Sequence, residues 1–485
     1  MSGTSFSAED FAGAFQRFLD WVPTVATGEG GFASRLGEHF GADPSTFPVT
    51  ALEVAEHDRP NLQVALESYL GQPGCSAELV GLAASSPHIE PSLSQMVARG
   101  RPLGFGPGPV GRKVVELDEG RPLACVTMGL FLVSDRERPL AVLVTHQRYP
   151  LQTPLVEVMA PEPDPGEAFI AELRGLMVQH NVYRGKVISL SAVPGPMGTR
   201  TEVSFHRRRE RVARDRIVLA DGLLERVERS TIEFDRHADA LRAAGRHLRR
   251  GLLLHGPPGT GKTLTATYLA DALEDRTVMV LTGPALGLIR ATCTMARELQ
   301  PSMVVLEDID LVAQERTTMG SATTSLLFEL LNEIDGMAED ANVIFVMTTN
   351  RADLLEPALA ARPGRVDQAV EFPLPAAPAR ERLIGLFCEG LEVELPQLGR
   401  LVEQTEGASP AFLRELVRKA ALYAVAAGEE TVREAHFAAA LGELEEGGRL
   451  TRSILGAGRG GAPASPAAAG FPSQTAAGDP GSAGP

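Results

Sequence analysis

Apolar positions along the first part of the chain switch between two periods. From Ser7 to Val22, Phe11, Phe15, Phe18 and Leu19 return at helical spacing, and Ser7 followed by Asp10 makes a capping-box-like start. This predicts an amphipathic helix packed on its own domain, with a partner-binding helix as the alternative. Arg59 to Leu70 is a second candidate helix. From about residue 112 the runs shorten. Val114–Leu117, Ala124–Val133, Leu140–Thr145 and Leu155–Met159 are rich in Val, Leu and Thr, are separated by proline and charge, and predict strands. Gly166 to His180 returns to helical periodicity and Lys186–Leu190 to strand. Residues 1–205 therefore predict a leading domain of mixed α+β character, and no catalytic constellation appears in it.

His206 to Arg216 is dense in arginine but also holds Glu210 and Asp215. Mixed charge predicts a solvated helix or linker over 206–232; the alternative is a contact surface for an acidic partner. After about Gly456 the chain is Gly, Ala, Pro and Ser, which cannot bury enough surface to offset chain entropy, so 456–485 is expected to be disordered. No internal repeat suggests tandem modules.

Composition narrows the class. A chain of 485 residues with 44% apolar content holds several sizeable cores. A formal charge of −16 argues against a general nucleic-acid or anionic-membrane binder. The longest apolar stretch, Leu123 to Val133, is too short to span a bilayer, so no membrane insertion is expected. The N-terminus lacks the pattern of a signal peptide. The four cysteines, Cys75, Cys125, Cys293 and Cys388, form no Cys-x-x-Cys pair and are expected as reduced, mostly buried thiols of a cytoplasmic protein.

The strongest chemical signal is Gly256-Pro257-Pro258-Gly259-Thr260-Gly261-Lys262-Thr263, which fits G-x-x-x-x-G-K-[ST]. The strand-like Leu252–His255 precedes it, and a helical pattern from Leu264 to Glu274 follows, which is the setting a phosphate loop requires. Glycines let backbone N–H groups approach phosphates without a Cβ in the way. Those groups and the helix N-terminus present positive potential. Lys262 is placed to neutralise the β- and γ-phosphates, and the Thr263 hydroxyl to ligate Mg²⁺. The candidate nucleotide contacts are thus Gly256 through Thr263, with Leu264 following. Further on, the apolar run Met303–Leu306 ends in Glu307-Asp308-Ile309-Asp310. Such a strand end supplies one carboxylate to the metal shell and another to polarise an attacking water.

With these two segments the chain resembles the AAA ATPase family. Two further segments carry the likeness: Val343-Ile344-Phe345-Val346-Met347-Thr348-Thr349-Asn350, a polar strand end, and Ala361-Arg362-Pro363-Gly364-Arg365-Val366-Asp367, an arginine-containing turn. Order and spacing match over roughly residues 230 to 450. The resemblance implies an α/β P-loop NTPase with a parallel sheet over 233–375, a small helical lid over 376–450, and ATP with Mg²⁺ as cofactors. It implies that Thr263 and Glu307 hold the metal and Asp308 polarises water. Asn350 matches the sensor of the γ-phosphate, and Arg362 and Arg365 match arginine fingers that reach a neighbouring subunit, so the active form would be a homo-oligomeric ring, most simply a hexamer. In Gly407-Ala408-Ser409-Pro410-Ala411-Phe412, Ala411 keeps its place near the nucleotide base and ribose, while Pro410 replaces a glycine.

Two departures bear on function. The acidic pair reads Glu307-Asp308 rather than Asp-Glu, so the water-polarising carboxylate is one methylene shorter; a working ATPase is expected, either slow or with a water geometry that compensates. Where the family has an aromatic–hydrophobic pore loop, Gly283-Pro284-Ala285-Leu286-Gly287-Leu288-Ile289 runs almost directly into the next helix without an aromatic. Leu288 and Ile289 either line a pore or pack in a core. The favoured expectation is an ATPase that remodels an unidentified protein client or adaptor. A slow, nucleotide-switched scaffold is the alternative, and a nucleic-acid motor comes third. No His-Glu-x-x-His is present for a fused metalloprotease, a small-molecule kinase would need no such arginine pair, and the terminal Gly-Ser-Ala-Gly-Pro lacks the tail expected for a proteasome partner.

Overall fold

A computed structural model describes residues 32–84, 91–98, 105–136, 138–147, 153–195, 198–206, 211–310, 341–353 and 366–446, with four single residues between 329 and 336. The helix expected over 7–22, the tail over 456–485 and the turn bearing Arg362 and Arg365 lie outside the described residues. By internal contacts the chain forms two units, and the second is built from 218–221, 257–261 and 372–485.

The first unit opens with the helix Phe32–Phe40 and strand β1 (Val49–Glu53), then the helix Arg59–Leu70 with the bounds its periodicity predicts. Strands β2 (Cys75–Val80), β3 (Leu82–Ala84), β4 (Phe105–Pro107), β5 (Gly111–Glu116), β6 (Pro122–Asp135), β7 (Arg138–Gln147) and β8 (Thr153–Met159) follow. Six of these make an antiparallel sheet in the order β1-β8-β7-β6-β2, with β5 also paired to β6. Its two faces are both covered, which explains why the central strands read as continuous apolar runs instead of alternating ones. Val142 and Val144 pack with Leu62, Leu66, Phe169 and Leu173 on one side. Ala141 and Leu143, their neighbours in sequence, pack with Phe32, Leu36 and Met96 on the other.

The helix expected from Gly166 begins earlier and spans Pro163–Gln179. Proline is tolerated in a first turn, where its missing N–H has no partner to lose, and Asp164 there complements the helix dipole. Strands β9 (Val187–Gly195) and β10 (Gly198–Phe205) come next. Lys186–Leu190 was expected as a strand of the leading domain. It instead runs parallel to a strand of the next sheet, so hydrogen-bonded pairing crosses the boundary drawn at residue 205. Ile188 and Leu190 are buried with Met279 and Leu281, and that burial recruits the hairpin to the sheet edge.

The second sheet continues through β11 (Arg250–His255), β12 (Thr277–Thr282), β13 (Ser302–Glu307), β14 (Val343–Thr349) and β15 (Gln368–Glu371). Its seven strands run in the order β10-β9-β12-β13-β14-β11-β15, all parallel except the β9–β10 hairpin. The helices Lys262–Ala272 and Ile289–Glu298 connect β11 to β12 and β12 to β13. Of the arginine-rich segment, the described part pairs within the chain: Arg214 binds Glu225 and Glu228, and Arg211 binds Glu274. No helix among the described residues is long and apolar enough to cross a membrane.

The second unit contains the helices Ala377–Phe387, Leu398–Gln404, Pro410–Ala426 and Glu434–Glu446, with β16 (Glu392–Glu394) paired in parallel to β17 (Thr431–Arg433). Leu383, Leu401, Phe412, Leu416, Phe437 and Leu444 meet in its core. Pro410, the departure noted in the sequence, occupies the first turn of its helix. Ser409 caps that helix by accepting the Phe412 N–H at 3.2 Å.

Arg276 joins the strand starts of the first unit. It is 0% exposed; it donates to Asp235 Oδ1 and Ser302 O, each at 2.8 Å, and to Asn342 Oδ1. Removing one partner from a buried charged network costs about 3–5 kcal/mol. Arg276→Met is therefore expected to lower unfolding stability by about that amount in urea titrations. A change within experimental error would show that the guanidinium does not hold β13 and β14 in register.

Candidate nucleotide site

Parallel pairing brings four strand ends to one edge of the sheet. His255 of β11 is opposite Thr349 of β14, Leu306 of β13 is opposite Met347, and Thr282 of β12 is opposite Glu307. β11 lies between β14 and β15, so the loop leaving it emerges where strand order reverses, the usual position for a ligand in an open α/β sheet.

The loop that follows β11 depends on its glycines. Gly256, Gly259 and Gly261 have φ of 143°, 73° and 101°, values that a side chain would strain. Gly259 has a second constraint within its unit. A Cβ there would fall 2.7 Å from Ala411 Cβ and 2.9 Å from Ser409 Oγ, while Ala411 N–H donates to Gly259 O at 3.2 Å. Ala411 is thus placed against the loop backbone. The Thr260 hydroxyl donates to Pro257 O at 2.9 Å and ties the turn together. Pro258 is exposed, as is Leu264 in the first turn of the following helix.

Lys262 opens that helix with only 5% of its surface exposed, and its ammonium donates to Gly256 O at 2.9 Å. Burial lowers its pKa to about 8, against the opposing pull of Asp308 and Asp310. Thr263, next in sequence, hydrogen-bonds the Glu307 carboxylate. Glu307 is pushed above the ordinary carboxylate range by burial first and by the adjacent Asp308 second. A cation that bound here would relieve both effects.

The acidic run divides its labour. Asp308 stands in the left-handed region at φ 48°, donates its N–H to Thr348 Oγ1 at 3.0 Å, and accepts from Asn350 Nδ2 at 3.2 Å. Asp310 is buried instead, where Oδ1 accepts from the Thr349 hydroxyl at 2.9 Å and from Asn350 N–H at 3.1 Å. Thr348, Thr349 and Asp310 were not singled out from sequence. The signal available was two threonines closing the otherwise apolar run Val343–Met347.

Of the candidate residues, the structure brings together Lys262, Thr263, Glu307, Asp308 and Asn350 at the carboxyl edge of the sheet. Arg362 and Arg365 are outside the described residues. The segment Gly283–Leu288 forms a 3₁₀ turn; Ile289 is 2% exposed in the core beneath it, and Leu288 packs against that core. Of the two readings of this pair, packing is the one observed.

A family model described as "ATPase family associated with various cellular activities (AAA)" matches residues 252–374, and an "AAA+ lid domain" model matches 396–439. These residues of the chain form an AAA ATPase module. Among similar proteins, the 26S proteasome regulatory subunit S10B homolog B of Arabidopsis thaliana is 33% identical over 220 residues, 42% of this chain and 54% of that protein. The 26S proteasome regulatory subunit 8 of Caenorhabditis elegans is 32% identical over 222 residues, covering 43% and 53% respectively. The proteasome-activating nucleotidase of Methanothermobacter thermautotrophicus is 34% identical over 211 residues, covering 40% and 50%. The chain spans about half the length of the curated relatives it matches.

The residues of this AAA module fit a metal-bound triphosphate. Within its unit the space around Gly261 is open except for Leu219 Cδ2 at 3.9 Å. Lys262 supplies an ammonium whose burial disfavours its charge. Among the described residues no three acidic, His or Cys side chains converge as a metal cage. Mg²⁺ needs none, since it is typically held by one or two protein groups together with phosphate oxygens and water.

Thr348 is the test of this geometry. Thr348→Val keeps the shape but removes the acceptor that holds the Asp308 backbone. Loss of one neutral hydrogen bond at the reacting edge predicts about tenfold lower kcat for ATP hydrolysis with nucleotide affinity unchanged. An unaltered kcat would remove Thr348 from the positioning role.

Proposed function

We propose that this AAA protein binds Mg·ATP at the loop Gly256–Thr263, hydrolyses it, and as a homo-oligomeric ring, most simply a hexamer, uses the cycle to remodel a protein client or adaptor in the cytoplasm. The carrying observation is the convergence of the Lys262 ammonium, the Thr263–Glu307 pair and the Asp308–Asn350 pair at one sheet edge. Bound Mg·ATP supplies the reactive phosphoanhydride; the rest is done by the chain's own groups. Loop N–H groups and Lys262 would bind the β- and γ-phosphates, and Thr263 and Glu307 would hold the metal. Asp308 would accept a hydrogen bond from the attacking water and draw its proton, with Asn350 fixing the carboxylate. Arg362 and Arg365 would reach a neighbour's site, which makes hydrolysis depend on assembly.

The relatives are named as 26S proteasome regulatory subunits and a proteasome-activating nucleotidase, which supports work on protein clients. The match is to the ATPase module alone, so a proteasome partner is not part of the proposal. The net charge of −16 supports a protein client over a nucleic acid. Burial of Ile289 favours remodelling without an aromatic grip in the pore, and leaves a nucleotide-switched scaffold as the second reading.

Lys262→Ala is expected to abolish Mg·ATP binding in equilibrium titration. Asp308→Asn should retain binding while hydrolysis falls by about 10²-fold or more, the usual loss when a general base is removed. Capture with Asp308→Asn in ATP should retain a client. An ATP-loaded but empty capture overturns remodelling, and turnover strictly proportional to protein concentration on dilution overturns the ring.

A further inference from the structure

A cavity of about 400 Å³ lies away from the nucleotide site, between β5 and β10 of the first unit. Its size falls within the range of ligand pockets. Unbroken runs of residues line it, Lys113 to Leu117 on one wall and Thr201 to Phe205 on the other. Successive side chains of a strand point to opposite faces, so an unbroken run means that each strand meets the cavity edge-on. Both edges are open among the described residues. β5 pairs with β6 alone, and β10 ends the seven-strand order with β9 as its single partner. An open edge carries main-chain N–H and C=O groups that lack strand partners.

The floor of the cavity supplies charge. Arg59, at the start of the helix Arg59–Leu70, is 5% exposed and lines the cavity. Its Nε and Nη2 donate to the Glu56 carboxylate, while Nη1 is buried without a hydrogen-bond partner. Lys113 binds the same carboxylate at 2.8 Å, so two cations share one half-buried anion. Glu116 and Glu202 also line the cavity, but both are exposed to solvent, where their repulsion is screened. Buried donors are normally satisfied, and leaving one unmade costs about 1–3 kcal/mol. Among the polar side chains of the walls stand apolar ones: Val203 and Phe205 on one side, and Val114, 62% exposed, on the other.

We propose that this cavity is a peptide-binding site, in which an extended segment adds as a strand to the open edge of β10 and places a carboxylate on Arg59 Nη1. Main-chain pairing supplies affinity and the buried guanidinium supplies selectivity. The peptide's role as client or adaptor contact rests on the remodelling reading; the site itself does not.

The test uses the full chain without nucleotide and three fluorescein-labelled peptides read by anisotropy. They are acetyl-Thr-Val-Glu-Val-Thr-amide, its Gln counterpart, and acetyl-Thr-Val-Thr-Val with a free C-terminus. An acidic side chain as the source predicts at least tenfold tighter binding of the Glu peptide than of the Gln peptide, and a chain terminus predicts that advantage for the free acid. Arg59→Gln should erase the preference. Val114→Glu alters an exposed side chain, so folding is not at issue, and should weaken carboxylate binding at least fivefold with ATP turnover unchanged. Hydrogen exchange at 201–205 should slow on binding. Equal affinity for charged and neutral peptides, no binding by any, or carboxylate binding undiminished by Val114→Glu each overturns the proposal. Because binding is read without nucleotide, its failure is separate from a failure of the hydrolysis and capture tests.

Discussion

Asp310 accepts two hydrogen bonds from the end of β14, and this joint fixes where the other two carboxylates stand. With Asp310 held by Thr349 and by the Asn350 backbone, the residues before it must turn sharply out of β13. Asp308 takes the left-handed conformation in that turn, at a cost of about 1–2 kcal/mol for a residue with a Cβ. Its hydrogen bond to Thr348 offsets part of that cost. The turn sends Glu307 to Thr263 and Asp308 to Asn350. Arg276 braces the opposite end of the same strand pair, so β13 and β14 are clasped at both ends.

The site's charges are arranged for a ligand that brings its own. Lys262 is buried deeply enough to bring its pKa down to about 8, and Glu307 is shifted upward beside a second carboxylate. Each is a group whose charged form costs free energy in the protein alone. A polyanion beside Lys262 and a divalent cation beside Glu307 reverse both penalties together. That is why the two ligands favour each other's binding in such a site, and why neither shift needs a structural role to explain it.

The phosphate loop was legible in sequence because its constraints are local: three glycines with positive φ and a lysine at a helix start leave few other readings. The strands of the leading region were legible for the same reason, through β-branched runs. What escaped depends on tertiary partners. The resemblance singled out Glu307 and Asp308, but that Asp310 is a buried bracket depends on the neighbouring strand and was not legible. Lys186–Leu190 read correctly as a strand, but periodicity cannot name the strand it will pair with. The hairpin joined the nucleotide-binding sheet because Ile188 and Leu190 complete that sheet's core. Leu288 and Ile289 stayed open between pore and core until burial resolved them.

That shared sheet changes how work could leave the nucleotide site. In the proposed ring, a segment Gly283–Leu288 without an aromatic would grip weakly along the axis, and Ile289 belongs to the core. The leading region is instead continuous with the motor through paired strands. β13, which ends at Glu307, pairs with β12; β12 pairs with β9, and β9 with β10, whose open edge lines the peptide cavity. Three pairings thus separate Glu307 from the proposed peptide edge. A contiguous path is not in itself coupling, which requires an element with two arrangements that both sites bias. The candidate for that element is the β9–β10 hairpin. It holds the sheet through the short register from Val187 to Ser189 on β12, and it forms one wall of the cavity. That three-residue register is the shortest parallel pairing in the sheet, so the fewest hydrogen bonds oppose a second arrangement there.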